Sequence, residues 1–545
     1  WEFGAVKEVV TRSGTTNTLE NTYAVGVAGS RGRVLTSISR SNLREQFQYT
    51  AQGRVSNRVD KSGGVWKQGY NALNRRTSMT DPGNNTTTYV YDGNGVDLLY
   101  EIPPAGPVQQ VMTYVPGRHV VATESNALGR VVTYGYNAMG LITNSYDGRT
   151  TETSTYDVEG RLRARHRNGE LVETNSYDAF GRLEWSRDAA GLEVTRTYDN
   201  LNRLLTQTYV NNGQASISSN QYDCCALSQV TDRRGNTSNF QFNDIGEKLS
   251  ESNPMGLTTY YAYGLEGQAL VISNSFQWTT RQYTPEGRLK RLTYPARPYD
   301  GDHSENYWYD NEGQQTKRQT LSGAFYKDDY DALGRKTGSY VPDGSTLGYG
   351  IEAYVQAESN RYDALGRLVW TRDIRGLAVS NSYNALGQVE KKTYPDGSTE
   401  EWTYNKWGDV TSFKDRASNV ESNLYDALGR VTQHIDARQF STYTTYTNAD
   451  LAAVVSNSLG QVWRYTYDAE RRIREVNNPD LTVESTSYDP LGNVTQRVRG
   501  GITLVQTYDK LNRQTSVLVG GVVVASNRFD QLGRQVWSQT ADGLV

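Results

Sequence analysis

Histidine, methionine and cysteine are scarce in this chain: 545 residues hold four His, four Met and two Cys. The two cysteines, Cys224 and Cys225, are adjacent. Neighbours that close bond to each other only with strain, and one pair cannot staple so long a chain, so a disulfide framework is excluded. They stand where the chain elsewhere writes Ala-Leu, which reads them as inert fillers of a repeated position. Neither sign of charge is in surplus, with 57 Lys and Arg against 60 Asp and Glu and a net charge of -3. Without a basic excess to neutralise phosphates, nucleic acid is not the expected partner. No apolar run approaches the length of a membrane-crossing helix, so no transmembrane segment is expected. The opening WEFGAVKEVV has neither an initiator Met nor a signal-peptide pattern, and the closing ADGLV stops part-way through a repeat. Both ends read as those of a fragment of a larger protein, with any targeting signal or anchor outside it.

What the chain does have is tyrosine and glycine, 39 and 51 of them, and a short phrase it keeps writing. YDALGR occurs unchanged at 330–335, 362–367 and 425–430. Looser copies follow their leading aromatic along the chain: Tyr49, Tyr70 and Tyr91, then Tyr136, Tyr156, Tyr177 and Tyr198, later Tyr383, Tyr404, Tyr425, Tyr446, Tyr467 and Tyr488, in steps of 20 or 21 residues. Residues 92–135 are less regular, with Tyr114 and SNALGR at 125–130 as degenerate copies. Hydrophobic residues make up 36%, against about 45–50% apolar in ordinary globular domains. With 11% aromatics and a strict period, the chain is still too structured for disorder. A thin, wetted β structure is the expectation.

Each period holds two turns. In YDAFGRLEWSRDAAGLEVTRTY, 177–198, both halves carry D-x-x-G, at Asp178–Gly181 and Asp188–Gly191. Asp opens a type I turn by bonding the backbone ahead of it, and Gly supplies the left-handed residue of a three-residue hairpin loop. Between turns, LEWSR and LEVTRTY alternate as strands do. Tyr177 is placed opposite Leu183, with Trp185 further along the same face. Asp178 and Arg182 flank the bulge closely enough to pair, a contact expected to fix register more than to stabilise. Roughly 46 strands follow, far more than the ~10 an open sheet carries before it curls or splits. The fold expected is all-β, with tandem antiparallel hairpins forming one long sheet that winds on itself. A β-propeller-like array is the alternative, since two repeats approach the length of a blade.

Y-D-x-x-G-R-L at this period resembles the YD repeat of RHS (rearrangement hotspot) proteins, a family that includes bacterial polymorphic toxins, shell components of Tc toxin complexes and teneurins. The likeness spans nearly the whole chain. It implies a β-ribbon spiralled into a hollow shell which, in bacterial members, holds a C-terminal toxin or effector domain. That makes the chain, 1–545, a single repeat array and a non-enzymatic shell segment of a secreted or cell-surface bacterial protein. The partner is the encapsulated polypeptide. The family's closing segment, with self-cleaving aspartates, has no counterpart here, so no protease residues carry over. An adhesion module that binds cell-surface glycans through exposed aromatics is the second functional reading.

No catalytic, cofactor-binding or metal residues are expected. His119, His166, His303 and His434 have no partner at metal-ligand spacing and no nucleophile motif nearby. Most Asp belong to turns, and no pair is singled out for glycoside hydrolysis. Two insertions interrupt the period. Residues 299–306, YDGDHSEN, cluster Asp300, Asp302 and Glu305, oxygen ligands that do not match an EF-hand and read as a polar loop. Residues 337–360 read as an extra hairpin.

Overall fold

Corner chemistry sets the architecture. At 330–335 the Asp331 N–H donates to the Arg335 carbonyl at 3.0 Å, and the Gly334 N–H donates to the Asp331 carbonyl at 3.0 Å. This is a type I turn closed by a left-handed residue. Gly334 has φ 81°, where a β-carbon would crowd the following carbonyl. Where Gly is missing, Asn takes the place at Asn74, Asn202 and Asn512, with φ 60°, 64° and 63°. Its short polar side chain tolerates that region better than others do.

The computed structural model describes residues 3–12, 15–24, 33–38, 43–264, 267–295, 303–343 and 354–541. They form 49 strands and no helix. All belong to one sheet. Wherever a pairing is described between successive strands, it is antiparallel, as for Glu170–Tyr177 with Leu183–Asp188, and for that strand with Glu193–Tyr198. A propeller-like array would divide into separate blades. The single sheet rules that alternative out.

Register at the corner departs from expectation at one residue. Tyr177 does lie opposite Leu183, but the ladder then skips Glu184 and sets Ser176 opposite Trp185. Cross-strand partners share a face, and neighbours along a strand do not. Trp185 therefore lies on the face opposite Tyr177, because the bulge inserts one residue. The same shift recurs at Tyr330, Tyr362, Tyr425 and Tyr446.

Contacts divide the chain into two compact units, one of residues 1–131, 262–272 and 277–419, the other of 132–261, 273–276 and 420–545. Little is sealed in either. Among the described residues the buried apolar side chains are Val132, Val194, Phe325, Ala449 and Ala469, and no large side chain is fully buried. The strands leading into corners alternate. In Glu193–Tyr198 the side chains of Val194, Arg196 and Tyr198 are covered while Thr195 and Thr197 are exposed. One face thus carries the aromatic–arginine row, and the other carries hydroxyls that bond across strands, as Thr197 does to Thr206 at 2.6 Å.

The irregular stretches keep the same plan. Leu98–Ile102 and Gln110–Tyr114 meet at one described pair, Val111 opposite Tyr100. Pro103, Pro104 and Pro107 lie between them and offer no N–H to a ladder. The insertion at 337–360 lengthens two paired strands, Lys336–Pro342 and Tyr354–Tyr362. Residues 344–353, and Asp300 and Asp302 of the other insertion, lie outside the described residues.

Candidate functional site

The recurring constellation is the corner itself, and each of its side chains has a separate task. Asp331 accepts from the Leu333 and Arg335 N–H groups through Oδ1 at 2.9 and 3.0 Å, and from Arg335 Nε through Oδ2 at 2.7 Å. The turn is thereby held from inside. Tyr330 reaches backward, donating its hydroxyl to the Gln315 carbonyl of the preceding hairpin at 3.1 Å. Arg335 reaches forward: Nη1 donates to the Asp363 carbonyl at 3.2 Å, and the guanidinium lies 4.8 Å from the centre of the Tyr362 ring. Tyr362 in turn donates to the Lys336 carbonyl at 2.8 Å.

The linkage repeats along the chain. Arg367 lies over Tyr383, Arg430 over Tyr446, Arg472 over Tyr488 and Arg513 over Phe529, at 4.6, 4.6, 4.7 and 4.7 Å. Tyr383, Tyr404, Tyr446 and Tyr467 each donate to a carbonyl 15 residues back. A cation on an aromatic face and a charge-assisted hydrogen bond reinforce each other here. Corners that carry both groups are tied to their neighbours on both sides, and a run of them acts as a rail along the sheet.

Electrostatics follow this geometry. Burial pushes the carboxyls of Asp331, Asp363, Asp426, Asp468 and Asp509 up, but hydrogen bonds from the corner arginine's backbone and side chain outweigh it and hold each below its ordinary value. Burial raises the phenols of Tyr330, Tyr362, Tyr446 and Tyr488. These groups are fixed in their structural ionisation states, carboxylate and neutral phenol, at neutral pH.

Within each unit, turns of one stretch also meet turns of another distant in sequence. In the first unit the Ser62 N–H donates to Glu312 Oε1 at 2.9 Å, and Asn126 Nδ2 donates to the Lys406 carbonyl at 3.1 Å. A groove of about 380 Å³ there is lined by Trp66, Met79, Pro103, Met112 and Leu365, among others. In the second unit Arg233 grips Glu470 with two bonds of 2.7 and 3.1 Å, both side chains 16% exposed. Arg234 donates to the Asp509 carbonyl at 3.1 Å and to Asn512 Oδ1 at 2.8 Å. Asn211 bonds Asp468 and the Ala469 N–H. Basic and amide side chains of one turn row thus seat on acidic corners of another.

The histidines are dispersed. His119 sits 3.0 Å from Asp97, His434 bonds Asn423 at 2.9 Å, His303 packs edge-on to Tyr294 at 6.0 Å, and His166 lies opposite Thr153 in the ladder. Glu305 pairs with Arg318 at 2.6 Å and accepts from Tyr307 at 2.7 Å, which raises that phenol to about 12 through burial and this bond. It is committed to the sheet. Among the described residues no group of three potential metal ligands occurs. No helix there is long and apolar enough to cross a membrane, a statement about helices only.

Two features escaped sequence reasoning. The forward reach of the corner arginine had a signal, its recurrence five residues after the leading tyrosine in many copies, but only its own Asp was considered as a partner. The docking of Arg233 and Arg234 had none, since their partners lie 237 and 275 residues away.

Comparison with known proteins places these features. A family model described as RHS Repeat matches residues 177–214. A curated protein of Burkholderia cenocepacia (strain H111), double-stranded DNA deaminase toxin A, is 25% identical over 148 residues, 27% of this chain and 9% of that protein. The fold is similar to that in the TcdB2–TccC3–Cdc42 and TcdB2–TccC3 crystal structures, with TM-scores of 0.64 and 0.62 at 12% and 13% identity. These alignments cover 97% and 98% of this chain, and 37% and 38% of the others. A Tc holotoxin pore structure of Photorhabdus luminescens gives a TM-score of 0.61 at 13% identity over 98% of this chain and 39% of that one. The chain therefore spans well under half the length of the proteins it matches. The chain thus carries the RHS repeat at 177–214, and its single all-β sheet shares the fold of the Tc structures.

Proposed function

We propose that this chain is a wall segment of a container that holds a toxin or effector polypeptide, the cargo lying C-terminal to it in a larger bacterial protein that is secreted or displayed at the cell surface. The observation that carries the reading is how little apolar surface the sheet seals away. Forty-nine strands of one sheet leave only five buried apolar side chains among the described residues. A globular enzyme gathers its apolar residues into a core that positions a site. Here stability is spread along a row of similar corners, which suits a wall. The face opposite the corner tyrosines mixes paired hydroxyls with exposed Tyr260, Trp308, Leu424 and Tyr443, a surface able to meet an unfolded chain. The role is mechanical, and no residue is assigned a catalytic part. The toxin relative and the Tc neighbours support the same reading.

The glycan-binding alternative gains nothing from the structure. Its stacking platforms were to be exposed aromatics; the corner tyrosines are occupied by arginine and by backbone carbonyls, and those left exposed, such as Tyr260, Trp278 and Tyr443, form no described sugar site. Protease treatment of the natural full-length protein tests the proposal. A C-terminal segment that resists digestion while the array is intact, and is cut once the array is opened by denaturant, is the expected result. A segment cut as fast in the full-length protein as on its own would overturn it.

A further inference from the structure

The corner after Tyr222 departs further from the repeat than those that lose its Gly but keep its Arg, as at Asn202, or lose its Arg but keep its Gly, as at Gln388. It reads Asp223-Cys224-Cys225-Ala226 before Leu227, one residue shorter than Asp-Ala-Leu-Gly-Arg before Leu368. The Asp223 N–H donates to the Ala226 carbonyl at 3.0 Å, whereas the Asp363 N–H reaches one residue further, to Arg367. Both the left-handed Gly and the forward-reaching Arg are gone, so the cysteines do more than fill the Ala-Leu places. Cys224 Sγ donates to Cys225 Sγ at 2.9 Å. Both residues are exposed. Arg203 of the preceding corner donates through Nη1 to the Asp223 and Cys224 carbonyls, each at 3.3 Å, and lies 4.5 Å from the Tyr222 ring centre. The hydrogen bond to Cys225 and that neighbour's charge, then burial and the carboxylates of Asp223 and Asp244, hold the Cys224 thiol above its ordinary value, so it is the proton-bearing partner of the pair.

We propose that Cys224 and Cys225 form a reversible dithiol–disulfide site that sets the rigidity of this one corner. Cys225, which receives the S–H of Cys224, is the sulfur placed to attack as thiolate. It attacks one sulfur of a small disulfide oxidant such as oxidised glutathione, forming a mixed disulfide and expelling one glutathione thiolate. Cys224 then gives its proton to solvent and attacks the Cys225 sulfur. The ring closes and the second glutathione leaves. The two cysteines lose two protons and two electrons in all, and the oxidant takes up both electrons. Adjacent α-carbons stand ~3.8 Å apart, short of the usual span of a disulfide, so the ring is readily reduced again. Closing it ties down a corner that has no arginine clamp of its own.

The test uses the whole chain with oxidised glutathione, followed by mass analysis of the tryptic peptide 204–233 and hydrogen exchange. The peptide should lose the mass of two hydrogens, regain it with a dithiol reductant, and leave the chain monomeric on a non-reducing gel. Exchange in Gln214–Tyr222 and Leu227–Thr231 should slow in the oxidised form. In a Cys224→Ser chain the mixed disulfide on Cys225 should persist. Glutathione carried stably on both cysteines of the unaltered chain, cross-linked dimers, or an unchanged peptide would overturn the proposal. A closed ring with no slowing of exchange would overturn its structural half.

Discussion

Replacing Arg430 by Ala removes one link of the rail at a corner whose contacts can be weighed. The Arg430 and Asp426 side chains are each 22% exposed and 2.7 Å apart. Nη1 also donates to the Thr447 carbonyl at 3.2 Å and to Asp450 Oδ1 at 2.9 Å, and the guanidinium lies over Tyr446. A largely shielded ion pair contributes about 1 kcal/mol, the carbonyl bond about 1, and the stacking about 0.5–1. Together the loss is about 2.5–3 kcal/mol, or roughly 70- to 150-fold in a local opening equilibrium. Because each repeat touches mainly its neighbours, the effect should stay local. Hydrogen exchange by mass spectrometry should show Val431–Ile435, Ser441–Tyr446 and Ala452–Asn457 exchanging faster by that factor. Gln514–Val519 and Val522–Phe529 should be unchanged. Arg430→Lys keeps the charge but loses the planar fork, and should cost about tenfold. Unchanged protection near the corner, or a uniform loss over the whole chain, would refute the rail.

Three further outcomes follow from the same geometry. The corner carboxyls are held below their ordinary values in the folded chain. Their contribution is therefore complete above the unfolded pKa and disappears as pH falls through the folded one. Thermal unfolding followed by circular dichroism should be flat from about pH 7.5 to 5.5 and collapse only below about pH 4. Tyr446→Phe removes the 2.7 Å bond to the Val431 carbonyl and should weaken that hairpin by about 1 kcal/mol, seen as roughly fivefold faster exchange in Val431–Ile435. Leu481 has φ 64° and is 92% exposed, a left-handed leucine with nothing to pack on. Leu481→Asn should stabilise the turn by about 0.5–1 kcal/mol, and a denaturant midpoint that falls instead would contradict the assignment.

What could be read in the sequence was what local stereochemistry writes there. D-x-x-G announces its turn because Asp bonds the backbone ahead and Gly alone accepts the closing conformation without cost. Asp331 and Gly334 do both. The single sheet followed from the number of turns. Trp185 was put on the wrong face because strict alternation fails at a bulge, and no residue in LEWSR marks the extra one. Arg182 was credited with Asp178 but not with Tyr198, since its second partner belongs to the next repeat. The seating of Arg233 on Glu470 was hidden altogether, because contacts between distant turns leave no periodic trace.

Electron cryo-microscopy of the natural full-length protein tests the central claim most directly. A wall one β-layer thick, with this corner row running along it and density for a second polypeptide on its inner side, is what the account predicts. A solid two-layer packing of these strands, or a wall enclosing no volume, would contradict it.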